Sequence, residues 1–568
     1  MKANTGKPGW TTRKVFAITL LLSTLWSAVL FHKTLSHGFV SSDDLTYIVR
    51  NPLTTKLDFE HLRRVFSETY FTDYLPILQI FLSIERTILG SQQDIKQAFD
   101  ASGYHSVSIL LHALNGSLLF MLLRSLVGKK KSLLLPSVVA VALFLSHPVQ
   151  VETVAWIAQQ KSLLSTAFLL GSVLCYVQFR RKERLSSFWY LSAVACGICA
   201  LFSKSSAVVL PALLVLYDLC IKRRKLRHSL LATLPLILFT IVACFTTVLS
   251  QAQSGAISKD QGGPAVVMMI TMLPVFADYL RLLLFPVGLA FFHHVPLRMS
   301  LISIPALAGL LVVALFVVSL VYCARRSRSV LFWWGWYFVA LVPVMNIIPL
   351  NTLMAERYLY LPMAGIAGCI ALAFKQFAER KSFSITSYNC TLACAVTILF
   401  LLSLTTMHQS SKWENDIVMW RTVLVTSPER PTSWYNVAQS YREAALQHDK
   451  KHPDLAISLR HRALLTYERA LALSDRDPMF LCSMGSIRVE LGKVEQAIPY
   501  FQKALEFHPE YAVAHASLGS VLVNQGDLVE GVKHLELALK YKDDSPDVQS
   551  QEQSLLRLLN DAKKRMGM

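Results

Sequence analysis

The sequence predicts an all-α protein in two parts, a polytopic membrane region at 1–411 and a solenoid of helical repeats at 412–568. Of the 568 residues, 53% are hydrophobic and only 16% are charged, whereas a soluble domain carries roughly a quarter charged residues. Apolar runs close to the roughly 20 residues that a bilayer requires recur through the first part. The second part has the composition of a soluble protein and a fixed internal period.

About eleven apolar segments are predicted to cross the membrane. They lie at about 14–34, 104–126, 133–155, 162–179, 187–202, 206–220, 229–249, 301–324, 329–350, 358–376 and 386–407. Basic residues fall in every second loop between them, and loops of this kind are retained in the cytoplasm. The basic clusters are the leader with Lys2, Lys7, Arg13 and Lys14, then Lys129–Lys131, Arg180–Arg184, Lys222–Arg227, Arg325–Arg328 and Lys375–Lys381. The N-terminus is therefore expected inside and the residues after 408 outside, provided that 265–290 is re-entrant or lies at the outer surface.

The distribution of charge argues against nucleic-acid binding, and the positions of the cysteines argue against disulfide bonds and a cysteine metal site. The formal charge of +19 lies in these short loops rather than on one soluble face, so nucleic-acid binding is not expected. Nine of the ten cysteines fall in apolar segments, and Cys196 and Cys199 have no acidic or histidine neighbours. This spacing predicts neither a disulfide framework nor a cysteine metal site.

The first external loop, residues 35–103, contains two amphipathic stretches. Residues 58–68 and 76–90 place apolar side chains at helical spacing between charged ones. Helices of this type lie in the membrane interface with their apolar faces among the headgroups. The loop is therefore expected to contain interfacial helices rather than to be a plain linker.

The C-terminal part repeats with a period of 34 residues. The pairs that are 34 residues apart are Gly485 and Gly519, Gly492 and Gly526, Ala497 and Gly531, Phe501 and Leu535, and Ala504 and Ala538. Small residues at these intervals are typical of tetratricopeptide repeats. About three repeats are expected, the first interrupted near 448–459. Such a solenoid presents a concave surface to an extended peptide.

The predicted topology brings acids and bases together on the outer side. These residues are Asp43, Asp44, His147, Glu152, Lys161, Lys204, Asp278, Arg281, Glu356 and Arg357. Each of these residues alone has a structural explanation. Interfacial lysines and arginines commonly extend their charged ends to the headgroups, and Glu356 with Arg357 could be a charge pair at the start of a helix. The apolar spans between the loops contain few ionisable groups, whereas these residues gather on the outer side. A transporter needs polar sites near the midplane of the membrane. The distribution therefore favours an enzyme that acts at the outer interface.

Several stretches, in order along the chain, resemble a known family. They are SSDDLTYIVRNP, GYHSVSILLHALN, SHPVQVETVAW, SKSSAVVLPALLVLYD, DYLRLLLFPVGL, AERYLYLP and the repeats after SKWENDIVMWRTVLVTSPE. Together they resemble the transmembrane and tetratricopeptide-repeat-containing O-mannosyltransferases, which share the GT-C glycosyltransferase fold. The resemblance implies transfer of mannose or a similar hexose from a polyprenyl- or dolichyl-phosphate-linked donor to a protein hydroxyl outside the cytoplasm.

The resemblance also implies a catalytic acidic pair early in the first external loop, which here corresponds to Asp43 and Asp44. A Ser or Thr hydroxyl becomes a good nucleophile when a carboxylate takes its proton, and we favour Asp43 as that base. We expect Glu152 to be a second acid that orients acceptor or sugar. The cations assigned to the donor phosphate are Lys161, Lys204, Arg281 and Arg357. His147 is expected to shape its loop, and Glu356 is a further outer-face candidate.

No cofactor is expected, although Asp43, Asp44 and Glu152 could supply oxygen ligands to a divalent metal. Two other functions are open at this point. The chain could be a membrane-anchored repeat protein that assembles envelope proteins, or a flippase or transporter of a lipid-linked sugar. The expected membrane is the plasma membrane in a bacterium and the endoplasmic reticulum in a eukaryote, with the repeats on the extracytoplasmic side.

Overall fold

The computed structural model describes residues 12–40, 43–55, 57–70, 74–89, 100–128, 134–181, 186–253, 265–347, 352–379, 385–542 and 545–567. Within these ranges the chain forms two compact units, Met1–Asn415 and Asp416–Met568. The regular elements of both units are helices. Some predicted basic residues lie outside the described ranges, namely Lys2, Lys7, Lys129, Lys130, Lys131, Lys182, Arg184, Arg380 and Lys381.

The membrane unit contains fifteen α-helices among its described residues. They are α1 (Thr12–Phe31), α2 (Phe59–Ser67), α3 (Pro76–Ile88), α4 (Ala101–Leu126), α5 (Leu134–Ser146), α6 (Val151–Ala155), α7 (Gln160–Phe179), α8 (Ser186–Leu201), α9 (Leu210–Tyr217), α10 (Leu226–Gln253), α11 (Ala265–Leu284), α12 (Ile304–Arg326), α13 (Arg328–Leu341), α14 (Tyr360–Ala378) and α15 (Ile385–Ser410). Short helical turns at Pro148–Gln150, Ile157–Gln159, Ser205–Val209, Glu356–Leu359 and Ser411–Trp413 join several of them.

Nine helical stretches of the described chain are long and apolar enough to cross a membrane. A tenth is obtained if α5 and α6, bent by 52° at the break after Ser146, count as one span. The predicted spans 187–202 and 329–350 correspond to shorter apolar helices, Ser187–Leu201 and Arg328–Val344. The prediction of an all-helical polytopic membrane region is therefore confirmed.

The structure refines the prediction for 265–290, because Ala265–Leu284 is one continuous helix with the length and hydropathy of a span. Its contacts bear on whether it crosses. In its first half Met272 Sδ lies 3.5 Å from Asn346 Nδ2, and in its second half the Leu283 carbonyl lies 3.1 Å from His147 Nε2. Asn346 lies four residues before the outer end of the predicted span 329–350, and His147 lies within the predicted span 133–155. The expectation that 265–290 does not cross stays a prediction.

The helices of the membrane unit divide into a buried set and an exposed set. In α4 and α7 about two thirds of the apolar window is buried (67% each), whereas the corresponding values are 17% for α10 and α12 and 11% for the stretch that includes α15. Exposed apolar helices of this kind face lipid. Close packing of the interior depends on small residues: a Cβ at Gly368 of α14 would lie 2.0 Å from Trp333 of α13.

The first external loop folds onto the end of the bundle that carries the site. The predicted interfacial stretches form α2 and α3. Asn51 Nδ2 donates to Gln79 Oε1 of α3 at 2.6 Å, and the backbone N–H of Ile77 donates to the carbonyl of Phe202 at 3.2 Å. Because these buried bonds join α3 to the chain around it, the loop forms a fixed support for the Asp43–Asp44 segment.

The second unit is a stack of paired helices. Its elements are α16 (Asp416–Thr426), α17 (Pro431–His448), α18 (Pro453–Leu473), α19 (Pro478–Glu490), α20 (Val494–Phe507), α21 (Ala512–Gln525), α22 (Leu528–Lys540) and α23 (Pro546–Arg565). The repeating glycines allow the two helices of a pair to approach: a Cβ at Gly485 would meet the Phe501 ring at 2.5 Å. The predicted interruption near 448–459 is absorbed by the lengths of α17 and α18, which have 18 and 21 residues.

A histidine pair links the two helices of the last repeat. His515 Nε2 lies 2.9 Å from the carbonyl of Pro509, so this nitrogen carries the proton. His515 Nδ1 then accepts from Nδ1–H of His534, also at 2.9 Å. Both rings are neutral in this arrangement, and burial lowers the pKa of each from its ordinary value near 6.5.

We expect acidification to destabilise the repeat unit through this pair. Because the folded pKa values are lowered, the unfolded chain takes up protons first, so the contribution is complete above pH 6.5 and declines as pH falls below it. Urea unfolding of the repeat unit between pH 7.5 and 5 measures the decline. A His515→Phe/His534→Leu variant should show a flatter pH dependence over this interval, and an equal slope in both proteins would contradict the assignment.

Candidate active site

Four segments of the membrane unit meet at the end of the helices that is predicted to face outward. They are the turn after α1, the bent connection between α5 and α7, the loop before Leu210 and the turn before α14. Pro148 and Pro211 begin helical turns here, where their fixed φ is favourable and a missing N–H has no cost. The bends bring polar side chains from different helices together. Most of the predicted site residues lie on these segments.

Asp44 is held rigidly by the backbone. Its side chain is buried, with 1% of the residue exposed. Oδ2 accepts from the N–H of Val40 at 3.0 Å, and Oδ1 accepts from the N–H of Ala158 at 2.7 Å. The second bond spans 114 residues and joins the turn after α1 to the connection before α7. Asp44 therefore fixes the position of its own segment.

Asp43 is placed differently from its neighbour. The residue is half-buried, and within the described ranges no hydrogen bond reaches its carboxylate. Its backbone carbonyl accepts from the N–H of Tyr47 at 2.8 Å. The carboxylate lies within electrostatic reach of the Arg357 guanidinium. An ionised carboxylate next to a cation and with free lone pairs can accept a proton from an incoming hydroxyl, which supports the preference for Asp43 as the base.

Glu152 and Arg357 form a buried ion pair across the site. Glu152 Oε2 accepts from the backbone N–H of Arg357 at 2.6 Å, and Oε1 is bonded to the Arg357 guanidinium. The Glu152 side chain is 1% exposed and that of Arg357 is 15% exposed. The guanidinium also lies 5.4 Å from the Trp156 ring centre and 5.1 Å from that of Tyr358. This combination orients Arg357 while leaving part of its charge accessible.

Of the two predicted lysines, Lys204 shares a cavity with Arg357 and Lys161 packs on Tyr47. Lys204 Nζ donates to Ser162 Oγ at 2.6 Å, and Lys204 lines a cavity together with Arg357 and Tyr358. Lys161 Nζ lies 4.2 Å above the ring of Tyr47, three residues beyond Asp44. A cavity with a lysine and an arginine on its wall suits a phosphate, whereas Lys161 is not among the residues that line this cavity.

Three predicted residues have other surroundings. The buried ring of His147 is bonded to the backbone at both nitrogens, to Leu283 and Val149, which agrees with a role in shaping the loop. Glu356 is buried and accepts from the Ala290 N–H at 2.6 Å. Arg281 is nearly half exposed and pairs with Asp278 three residues before it, so the structure does not bring Arg281 to the cavity.

Some residues that complete the site were not predicted from the sequence. Trp156 packs against Phe291 and Trp413, with ring centres 5.4 and 5.9 Å away. His293 Nε2 lies 3.1 Å from Glu356 Oε1. The pair His293–His294 in an apolar external segment was a usable signal for a buried polar partner, whereas the tryptophans carry no sequence signal that distinguishes them from other interfacial aromatics.

The carboxylates of Asp44 and Glu152 have little spare capacity for a metal ion, whereas that of Asp43 accepts no hydrogen bond within the described ranges. Both oxygens of Asp44 accept backbone N–H groups, and both oxygens of Glu152 are bonded to Arg357. In the part of the chain that the structure describes, no group of three or more His, Cys, Asp or Glu side chains is arranged to hold one. The assignment of the site's cations to a donor phosphate stays a prediction.

The Lys204 assignment predicts a specific kinetic defect. Replacing Lys204 with Gln removes one charged contact to a phosphate, a loss of about 1.5–3 kcal/mol, or roughly tenfold or more in KM for a lipid-phosphate donor. Initial rates at varied donor concentration measure it. An Arg63→Gln variant, which changes an exposed cation 3.9 Å from Glu60, serves as the control. An unchanged donor KM in the Lys204 variant would remove this residue from the site.

The comparisons with known proteins point in one direction. A family model described as tetratricopeptide repeat matches residues 488–555. The human protein O-mannosyl-transferase TMTC3 is 24% identical over 447 residues, which are 72% of this chain and 46% of that protein. The chain's curated homologues are protein O-mannosyl-transferases.

Two further curated relatives are also named protein O-mannosyl-transferases. Human TMTC4 is 25% identical over 68% of this chain and 57% of its own length, and the Caenorhabditis elegans protein O-mannosyl-transferase F38B6.6 is 22% identical over 61% and 49%. The chain spans about half the length of the curated relatives it matches. A solved structure of the archaeal oligosaccharyltransferase AglB from Archaeoglobus fulgidus is similar with a TM-score of 0.42 and 14% identity, over 71% of this chain and 56% of that one.

These findings confirm two predictions made from the sequence. The O-mannosyl-transferase resemblance is confirmed by the homologues, and the repeat assignment is confirmed by the family match. The roles of the individual site residues remain predictions that rest on the geometry given above.

Proposed function

We propose that the chain is a membrane glycosyltransferase that moves mannose or a similar hexose from a polyprenyl- or dolichyl-phosphate-linked donor to Ser or Thr hydroxyls of proteins. The site lies on the extracytoplasmic side, and the repeat unit on that side binds the acceptor. The observation that carries the proposal is a cavity with Lys204 and Arg357 on its wall, together with the half-buried Asp43 carboxylate, which interacts electrostatically with Arg357 and accepts no hydrogen bond within the described ranges. The names of the homologues support the mannosyl group and the protein acceptor, and the lipid-phosphate donor is part of the proposal.

The proposed reaction divides between these residues. Asp43 accepts the proton of the acceptor hydroxyl as its oxygen attacks the anomeric carbon. The bond from that carbon to the phosphate oxygen breaks, and the lipid phosphate departs as an anion. Arg357 and Lys204 offset the charge that develops on the phosphate, which stabilises the transition state more than the bound donor. Glu152 holds Arg357 in the orientation that this step requires.

The test is a transfer assay with the purified full chain in lipid vesicles. Dolichyl-phosphate mannose and undecaprenyl-phosphate mannose are offered separately, and acceptor proteins are taken from cells that lack the chain. Mass spectrometry should detect an added hexose on Ser or Thr that is also present in cells with the chain and absent from cells without it. If the glycoproteomes are identical and neither donor is consumed, the proposal is wrong, and a role in assembling envelope proteins would then explain the repeats better.

A further inference from the structure

The segment between α11 and α12, Phe285–Ser303, carries a series of exposed apolar side chains outside the helices of the membrane unit. It is extended or turned throughout and contains one formally charged residue, Arg298. Met299 and Ile302 are 76% and 83% exposed. Soluble surfaces rarely present contiguous apolar side chains of this kind, and such patches mark an interaction site.

The position of the segment restricts what can cover it. Both flanking helices are apolar enough to lie in a membrane, so the ends of the segment are held at the bilayer. Its backbone is not paired in a helix or sheet, and irregular backbone of this kind does not occur exposed to lipid within the hydrocarbon core. The environment compatible with both facts is the boundary between headgroups and acyl chains, where apolar side chains can insert and backbone groups stay hydrated.

The opposite side of the segment contacts the site. The N–H of Ala290 and the ring of His293 hold Glu356 at 2.6 and 3.1 Å, next to Arg357. Phe291 packs on Trp156 and Trp413, each with ring centres 5.4 Å away. The segment therefore has one side fixed to the site and the other side apolar and open.

We propose that Phe285–Ser303 inserts into the outer leaflet and sets the depth of the site in the membrane. Its partner is the bilayer interface itself, and the single charged residue indicates neutral headgroups rather than selective binding of anionic lipid. Through Glu356 the inserted segment holds Arg357 and the adjoining cavity at headgroup level. If the proposed function holds, this is the depth at which the phosphate of a lipid-linked donor is presented.

The test measures depth and needs no transfer activity. The full chain carrying Met299→Cys is labelled with an environment-sensitive fluorophore and reconstituted in phosphatidylcholine vesicles, with the equally labelled parent chain subtracted as background. Leu473→Cys in the repeat unit, an apolar residue that is 49% exposed, is the matched control. We expect lipids with a quencher on a shallow acyl carbon to abolish most emission from the label at position 299 and to leave the label at position 473 bright. Aqueous iodide should quench the label at 473 and leave the label at 299 bright.

Two results would overturn the proposal. Iodide quenching at 299 equal to that at 473 would place the segment in water, and protection from both quenchers would indicate a protein occupant such as a second copy. Ile302→Asp, introduced into the labelled Met299→Cys chain, adds a functional comparison, since it should raise the donor KM and shift the label toward water. If the parent chain transfers no sugar but position 299 still reports lipid, the proposed function fails while this inference stands.

Discussion

Replacing Asp43 with Asn will abolish glycosyl transfer while leaving the protein folded and inserted. The amide cannot take a proton at neutral pH, and loss of a general base costs about 10²- to 10⁴-fold in rate. Within the described ranges the Asp43 carboxylate makes no hydrogen bond that the substitution would break, so stability should not change. Initial rates and thermal unfolding in detergent measure the two properties separately.

The adjacent position provides an internal comparison. Asp44→Asn turns an amide N–H toward one of the two backbone donors, Val40 and Ala158, which leaves a buried group unsatisfied at about 1–3 kcal/mol. This variant should therefore lose stability as well as activity. Asp58→Asn, a change at the N-cap of α2, is the control for a surface carboxylate. Transfer at the parent rate by the Asp43 variant would assign the base elsewhere.

The second large effect concerns the Glu152–Arg357 pair, because removal of one partner leaves a buried charge uncompensated. Glu152→Gln should cost about 3–5 kcal/mol of stability, whereas the double variant Glu152→Gln/Arg357→Gln removes both charges and should recover most of it. Activity should behave differently. The double variant lacks the cation that offsets phosphate charge, and we expect its kcat to stay at least about 10²-fold below the parent value.

This separation of stability from activity identifies the role of Arg357. Arg357→Lys completes the set, since lysine keeps the charge but cannot bond Glu152 and a phosphate with one planar group. Thermal unfolding in detergent and donor-dependent rates are measured on all variants. If the double variant regains both stability and parent-level transfer, the ion pair is purely structural and the phosphate contact belongs to another residue.

The site illustrates which features could be predicted from the sequence. Asp43, Asp44, Glu152 and Arg357 were identified because charge patterning assigns loops to one side of a membrane, and residues on one side of a bundle lie close together. The same reasoning included Arg281 with the phosphate cations, although its partner is Asp278 within one helical turn. Loop charges determine a side of the membrane but not a lateral position.

The sequence by itself determined the helical membrane region, the helical repeats and the convergence of most predicted acids and bases at one end of the bundle. These properties follow from hydropathy, period and charge, which act along the chain over tens of residues. The tertiary structure decided that Asp44 is bound by two backbone amides while Asp43 has none within the described ranges, and that Glu152 holds Arg357. Apart from the bond from Val40, four residues before Asp44, those outcomes depend on contacts between residues more than 100 positions apart, which no local pattern encodes.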